Sequence, residues 1–165
     1  MYSARVVRMT EIRWLGDNEQ RAWRGYLRMQ GRLGARLNRQ LQIDSELSLA
    51  DFDVLVHLTD VPEARVRVVE LARALQWEQS RMSHQIARMQ KRGLVVREEC
   101  PEDRRGAFVV LTPSGRRAIE TAAPRHVETV RRLFFDRLTE DQVRTLGAIS
   151  DQVLGALDEE EATGS

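Results

Sequence analysis

QSRMSHQIARMQKRGLVVREECPEDRRGAFVVLT, residues 79–112, divides into two halves of different chemistry. In the first half Met82, Ile86 and Met89 recur at i, i+4 and i+7, the spacing of one face of an α-helix. At about 100° per residue, Ser80, His84, Arg88 and Lys91 fall on the opposite side, with Arg81 flanking. From Gln79 to Arg92 there are four basic residues and no acidic one. Gly93 has the place of a glycine that ends a helix in the left-handed conformation. Two β-prone runs follow, 94–98 and 107–111, separated by a polar loop at 101–106 that carries Asp103, Arg104 and Arg105. A basic helix followed by an arginine-tipped hairpin is the outline of a winged helix-turn-helix, a device for reading double-stranded DNA.

Bulk properties bound this reading without deciding it. The chain has 165 residues, 42% hydrophobic and 31% charged, enough to bury a core without staples. Net charge is only +1, so any nucleic-acid binding must come from a local patch rather than from the whole surface. No apolar run approaches eighteen residues, so no membrane-spanning helix is expected. Arginines interrupt each short apolar patch near the start, which leaves no signal-peptide core. The single Cys100 has no partner for an internal disulfide and fits a reducing, cytoplasmic location. Only Lys91 of the 26 basic residues is lysine, a bias that points to a GC-rich genome rather than to a function.

Outward from the central stretch, the chain reads mostly as helix. Residues 1–16 read as an arm. Asp17 with Gln20 forms a capping box for a helix over roughly 18–42, weakened by Gly25, Gly31 and Gly34 unless these allow close helix packing. Ser48 and Asp51 form a second capping box and open a helix at 49–60. Val66–Val68 is a short β-prone run, and Val69–Leu75 a short amphipathic helix. Thr112-Pro113 places a hydroxyl N-cap before a proline at the first helical position, starting a helix to about Phe135 that Pro124 should kink or break. Thr139 and Gln142 cap a last helix over about 140–158, after which the acidic end should fray. The expected fold is therefore mainly α with a small β-hairpin wing: a winged helix-turn-helix at 48–112, flanked by a dimerisation helix within 1–47 and dimerisation helices within 113–165. The flanking helices carry apolar stripes that the reader cannot cover, which predicts a homodimer.

At this point the sequence resembles the multiple-antibiotic-resistance regulator (MarR) family of bacterial transcription factors. The residues that carry the likeness are Val69-Glu70-Leu71-Ala72, Ser80 and Ser83, Lys91-Arg92-Gly93-Leu94-Val95, Pro101-Glu102-Asp103-Arg104-Arg105-Gly106, and Leu111-Thr112-Pro113-Ser114-Gly115. Their order and spacing together are specific, where any one alone would be weak. The resemblance implies a homodimer with interlocked terminal helices, a recognition helix in the major groove and a wing in the adjacent minor groove. It makes Ser80, Arg81, Ser83, His84, Gln85 and Arg88 the recognition-helix candidates. It also implies that Asp103 orients Arg105 into the minor groove, with Arg104 beside it; a narrow minor groove has the negative potential to attract such an arginine. Two departures stand out. The helix at 69–75 lacks a Ser/Thr N-cap, and Gln76 occupies a position where many members have glycine, so that turn should be tight or strained.

Each feature also has a plainer reading. Arg81 and Arg88 alone would suit a solvated helix face; the wing downstream favours DNA contact. Most such contacts go to phosphate, but an arginine can read guanine and Gln85 can read adenine. Cys100 lies among Glu98, Glu99 and Glu102, which oppose a reactive thiolate, so it reads as a structural hairpin cysteine. His57, His84, His126 and Cys100 show no metal-ligand spacing, so no metal or other cofactor is expected. The resemblance implies a small aromatic effector, for which Trp14, Trp23, Phe52 and His57 could line a pocket; as single residues they read as core aromatics. Trp77 reads as a packing anchor. No nucleophile elbow, phosphate loop or HExxH is present, so the chain does not read as an enzyme. The favoured reading is a repressor that binds a pseudo-palindromic operator. The alternatives are a small-molecule or metal sensor whose DNA binding is its readout, and a winged-helix protein-interaction module without a DNA role.

Overall fold

The computed structural model describes residues 12–101 and 103–163, with the side chains of 103–105 outside that description. Among the described residues, six helices and three strands follow one another as α1 (Asp17–Ser45), α2 (Leu49–Asp60), β1 (Arg65–Arg67), α3 (Val68–Ala74), α4 (Gln79–Lys91), β2 (Val95–Cys100), β3 (Asp103–Leu111), α5 (Pro113–Leu133) and α6 (Glu140–Thr163). Short 3₁₀ turns at Pro62–Ala64 and Phe135–Arg137 complete the order. The winged arrangement expected from the sequence is present. The reading of residues 1–11 as an arm lies outside the described residues. No described helix is long and apolar enough to cross a membrane.

The chain forms two compact units, Met1–Leu33 and Gly34–Ser165, divided within α1. In the first unit the helix start differs by one residue from the expected one. Gly16 precedes α1 and its N–H donates to Glu19 Oε2 at 2.8 Å, while Gln20 Nε2 donates to the Leu15 carbonyl at 3.1 Å. Asp17 thus lies inside the first turn, where its charge favours the helix N-terminus. The helix runs through all three glycines, and a Cβ added at Gly25, Gly31 or Gly34 would meet nothing within 4 Å. Within the described chain these glycines do not serve close packing.

The second unit holds the core. Leu41, Leu47, Val54, Leu55, Leu58, Leu71, Met82, Ile86, Met89, Val95 and Val109 are its fully buried side chains. Helix α2 starts with the predicted reciprocal box: Asp51 N–H donates to Ser48 Oγ at 3.0 Å and Ser48 N–H to Asp51 Oδ2 at 2.8 Å. Helix α4 has only 13 residues, a length at which an isolated helix is marginal in water. Burial of Met82, Ile86 and Met89, at roughly 1.5–3 kcal/mol each, decides that it forms here. It ends as predicted: Gly93 has φ +73°, and the Leu94 N–H returns to the Met89 carbonyl at 3.0 Å.

Strand order is β1-β3-β2, antiparallel throughout. In β3, Ala107, Val109 and Leu111 turn inward and alternate with the half-buried Phe108 and Val110, the period-two pattern of a sheet with one covered face. The hairpin is longer than its polar sequence suggests. The expected 101–106 loop shrinks to its tip: β3 begins at Asp103, which pairs with Cys100, and the next registered pair is Ala107 with Glu99. Register steps between Glu99↔Ala107 and Cys100↔Asp103, so the ladder is irregular near the hairpin's end.

Two further expectations change at the C-terminal side. Helix α5 does not break at Pro124. Ala122, His126 and Thr129 are buried on both sides of it, and their packing holds the helix across the missing N–H. The acidic end of α6 does not fray before 163: Thr163 Oγ1 lies 3.0 Å from the Glu159 carbonyl and 3.1 Å from that of Glu160, and satisfies backbone acceptors of the last turn. The Thr139–Gln142 box is present, with bonds of 2.9 and 3.2 Å.

Candidate nucleic-acid interface

Helix α4 presents two unlike faces. Met82, Ile86 and Met89 point into the core, whereas Ser80, Arg81, Ser83, His84, Arg88 and Lys91 are exposed. No acidic residue lies between Gln79 and Lys91. The exposed face is therefore a row of hydrogen-bond donors and positive charge on a rod about 20 Å long. A rod of that width enters a major groove, and its donors match phosphate oxygens and purine edges.

Arg81 and Arg88 on this face are each held by a neighbouring side chain. The Arg81 guanidinium lies over the Trp77 ring, 4.1 Å from its centre. Trp77 packs in turn against the core, which bears out its reading as an anchor of the turn. Asp53 of α2 feels the same arginine: burial raises its carboxyl above the ordinary value, and the Arg81 charge partly opposes that. The turn leading to α4 is strained as expected. Gln76 has φ +53°, while the Trp77 N–H closes on the Ala72 carbonyl at 2.8 Å. Helix α3 indeed begins without a side-chain cap.

Gln85 is the correction on this helix. It was expected to reach bases, yet it is buried at 3% exposure. Its Nε2 donates to Asp51 Oδ1 at 2.6 Å, and its Oε1 accepts from Arg88. Spacing could have shown this, since position 85 is three after Met82 and four before Met89, on the inward stripe. Its polar side chain concealed the burial. Asp51, also 3% exposed, is the residue that sequence reasoning assigned only to a helix cap. It additionally binds Arg92 NH1 through Oδ2 at 2.6 Å, and Arg92 donates on to the Glu46 carbonyl.

Basic groups extend onto the sheet. Arg65 and Arg67 of β1 both lie over the Phe108 ring of β3, at 3.6 and 5.2 Å. Arg65 also pairs with Glu98 at 3.2 Å. The sequence marks 66–68 only as β-prone; alternation about the buried Val66 places Arg65 and Arg67 together on the face away from the core. The backbones of Asp103, Arg104 and Arg105 lie in β3, and the expected orientation of Arg105 by Asp103 lies outside the described residues. Helix α4 joins the hairpin through Gln90, whose Oε1 accepts from the Arg97 N–H at 3.3 Å. Thr112 joins its other end, with Oγ1 2.6 Å from the Gly93 carbonyl.

The four residues expected to line an effector pocket divide between the two units. In the first, Trp14 is exposed and Trp23 stacks on Tyr26 at 5.8 Å. In the second, Phe52 packs on the ring of His126 at 4.2 Å, and His57 is half-buried on α2. His126 is buried, lies 3.2 Å from Gln40 Oε1, and is pushed below its ordinary pKa by that burial. A cleft of about 360 Å³ in the second unit is lined instead by Asp44, Arg125, Glu128, Thr129 and Arg132, none of them among the four. Cys100 is buried in the hairpin, as a structural cysteine would be.

A model of the MarR family matches residues 45–106. The chain is similar over 90% of its length to a MarR family transcriptional regulator from Streptomyces coelicolor solved in complex with DNA, with 42% identity, 92% of that chain covered and a TM-score of 0.85. It is similar over 90% of its length to AbsC, a MarR family transcriptional regulator from the same organism, with 39% identity, 99% of that chain covered and a TM-score of 0.83. A mutant MarR from E. coli complexed with operator DNA matches 81% of the chain at 26% identity, with 94% of that chain covered and a TM-score of 0.72. No curated protein matches the chain in sequence.

Proposed function

Since this chain belongs to the MarR family of transcriptional regulators, we propose that it binds double-stranded DNA as a homodimer and represses by occupying a pseudo-palindromic operator. Each protomer sets α4 in a major groove and the hairpin tip in the flanking minor groove. Half-site centres lie about 10 bp apart, one helical turn, so that both recognition helices meet the same side of the duplex. Ser80, Arg81, Ser83, His84 and Arg88 are the contacting residues on α4. Asp103, Arg104 and Arg105 act at the wing, where arginine suits the negative potential of a narrow minor groove. Gln85 leaves the group of direct readers.

The observation that carries this reading is the acid-free, donor-rich exposed face of α4 on a buried apolar stripe. A protein-binding helix has no need of such a face. Lys91 adds to its charge, and Arg65 and Arg67 supply further cations beside the hairpin. The apolar residues left exposed on α6, Val143, Ile149, Val153 and Leu157, support a second copy as their cover.

The test is fluorescence anisotropy with a duplex from the DNA upstream of the chain's own gene, over a series of salt concentrations. Log affinity falls linearly with log salt, because phosphate contacts release counterions. Arg88→Ala weakens binding by about 1–3 kcal/mol if Arg88 reads a base, and lowers the salt slope by about 1 if it meets a phosphate. Arg105→Ala weakens binding as well. Unchanged affinity in Arg105→Ala would remove the wing from the interface, and unchanged affinity in both variants would remove the reading itself.

A further inference from the structure

We infer that Asp51 is a positioning residue for DNA reading: through Gln85 it fixes the polarity of a buried hydrogen-bond relay that aims Arg88 at the DNA. This rests on the proposed role of Arg88. Asp51 belongs to α2 and touches no part of the exposed face of α4.

The argument is one of donors and acceptors. A carboxylate only accepts. With Asp51 Oδ1 2.6 Å from its side-chain nitrogen, the Gln85 amide has a single allowed orientation, nitrogen toward Asp51 and oxygen away. That oxygen faces Arg88, whose NH2 donates to it one helical turn along. The guanidinium therefore meets an acceptor and is held at the edge of the exposed face. The relay's far end is itself fixed. Ser48 N–H and Arg92 NH1 occupy Asp51 Oδ2 at 2.8 and 2.6 Å, so the carboxylate has little freedom to turn. Arg92 also donates to the Glu46 carbonyl, which ties the C-terminal end of α4 to the corner between α1 and α2. Gln85 lies 34 positions after Asp51 and Arg92 lies 41 after it, so the relay is tertiary and not a property of either helix.

An asparagine at 51 has nearly the same shape but presents a donor on one side. The Gln85 amide is then free to reverse and to turn its own donors toward Arg88, which repels the guanidinium. A carboxylate that merely stabilised the fold would not show its loss at one base pair, or through one other side chain.

The experiment uses the full chain and two probes, a duplex spanning the DNA upstream of its gene and a scrambled duplex of equal length and composition. Asp51→Asn, Arg88→Ala and the double variant are compared by anisotropy, with unfolding curves run alongside. Asp51→Asn is expected to weaken binding to the first duplex by about tenfold, the scale of one lost contact, and to weaken the scrambled duplex no further than Arg88→Ala does. In the Arg88→Ala background the same change is expected to have almost no further effect. Gln85→Leu, which keeps the buried shape and removes the relay, carries the same test if Asp51→Asn does not fold. Wild-type affinity in a folded relay variant, with Arg88→Ala weakened, overturns the inference alone. Losses that simply add to those of Arg88→Ala also overturn it. Unchanged binding in Arg88→Ala overturns the role of Arg88 and the relay together.

Discussion

Gly115 lies so close to Leu94 that a Cβ on it would stand 2.0 Å from the Leu94 carbonyl oxygen. The same Cβ would be 2.8 Å from Leu111 Cδ1. This contact explains why LTPSG accompanies KRGLV in the sequence. The start of α5 is seated on the turn that ends α4, and only a glycine permits that approach. Thr112 completes the joint. Its Oγ1 accepts from the Gly115 N–H at 2.9 Å and reaches the Gly93 and Leu94 carbonyls at 2.6 and 3.0 Å.

Gly115→Ala is expected to destabilise the protein by about 3 kcal/mol, the upper end for overpacking, because the nearest clash is with backbone that cannot rotate away. Urea unfolding measures this. Thr112→Val, which removes the cap and leaves the space, should cost about 1 kcal/mol. A Gly115→Ala midpoint equal to wild type would show that α5 can shift off the turn freely.

Gln76 offers the opposite change. Its φ of +53° places a side-chain-bearing residue in the left-handed region, at a cost of about 1–2 kcal/mol. Gln76→Gly is expected to raise stability by about 1 kcal/mol, read as a higher urea midpoint at unchanged slope. Its exposed hydrogen bond to the Arg73 carbonyl offsets little of this gain.

Asp53 links stability to binding. Burial raises its folded-state pKa above 3.8, so the folded chain takes up the proton before the unfolded chain does. The penalty is complete at neutral pH and is relieved as pH falls through the raised value. Asp53→Asn should therefore be more stable than wild type at pH 7, with the difference closing toward pH 4. Losing a negative charge beside Arg81 should also tighten DNA binding by about 0.2–1 kcal/mol, the scale of an exposed ion pair. Melting curves across pH and anisotropy at fixed salt test the two parts separately.

His126 gives the reverse dependence. Its folded-state pKa is below 6.5, so the unfolded chain binds the proton more readily. Its contribution to stability is intact above 6.5 and is lost as pH falls from there toward the lowered value. The melting temperature should fall between pH 7.5 and 5.5. His126→Phe, whose ring still meets Phe52, should flatten that slope whatever its absolute stability. An identical slope in the variant would assign the dependence to other groups.

Much of the fold could be read locally. The Ser48–Asp51 and Thr139–Gln142 boxes and the glycine stop at 93 each depend on groups within a few residues of one another, whereas the strain at Gln76 is legible only against the family's usual glycine there. The apolar stripe of α4 likewise needs only one helix. Readings that turned on a single residue type did less well. Pro124 suggests a kink or break and the acidic tail suggests fraying, yet α5 continues through the first and α6 runs to Thr163; the fraying expected of Gly164 and Ser165 lies outside the described residues. At the candidate interface, exposure of Ser80, Arg81, His84 and Arg88 follows from periodicity and Ser83 enters through the family resemblance, while the polarity of Gln85 masks its burial.

By itself, then, the sequence determined the order of elements, the basic helix with its hairpin, and the family likeness, because periodicity, capping and turn chemistry act over four or five residues. Tertiary structure alone decided the rest: that Gln85 belongs to Asp51, that Arg92 ties α4 to Glu46, and that Gly115 meets Leu94. Those partners are brought together across 34, 46 and about 20 positions by burial of the shared core. A buried polar group must find a partner wherever the packing puts one. No local pattern encodes which partner that is.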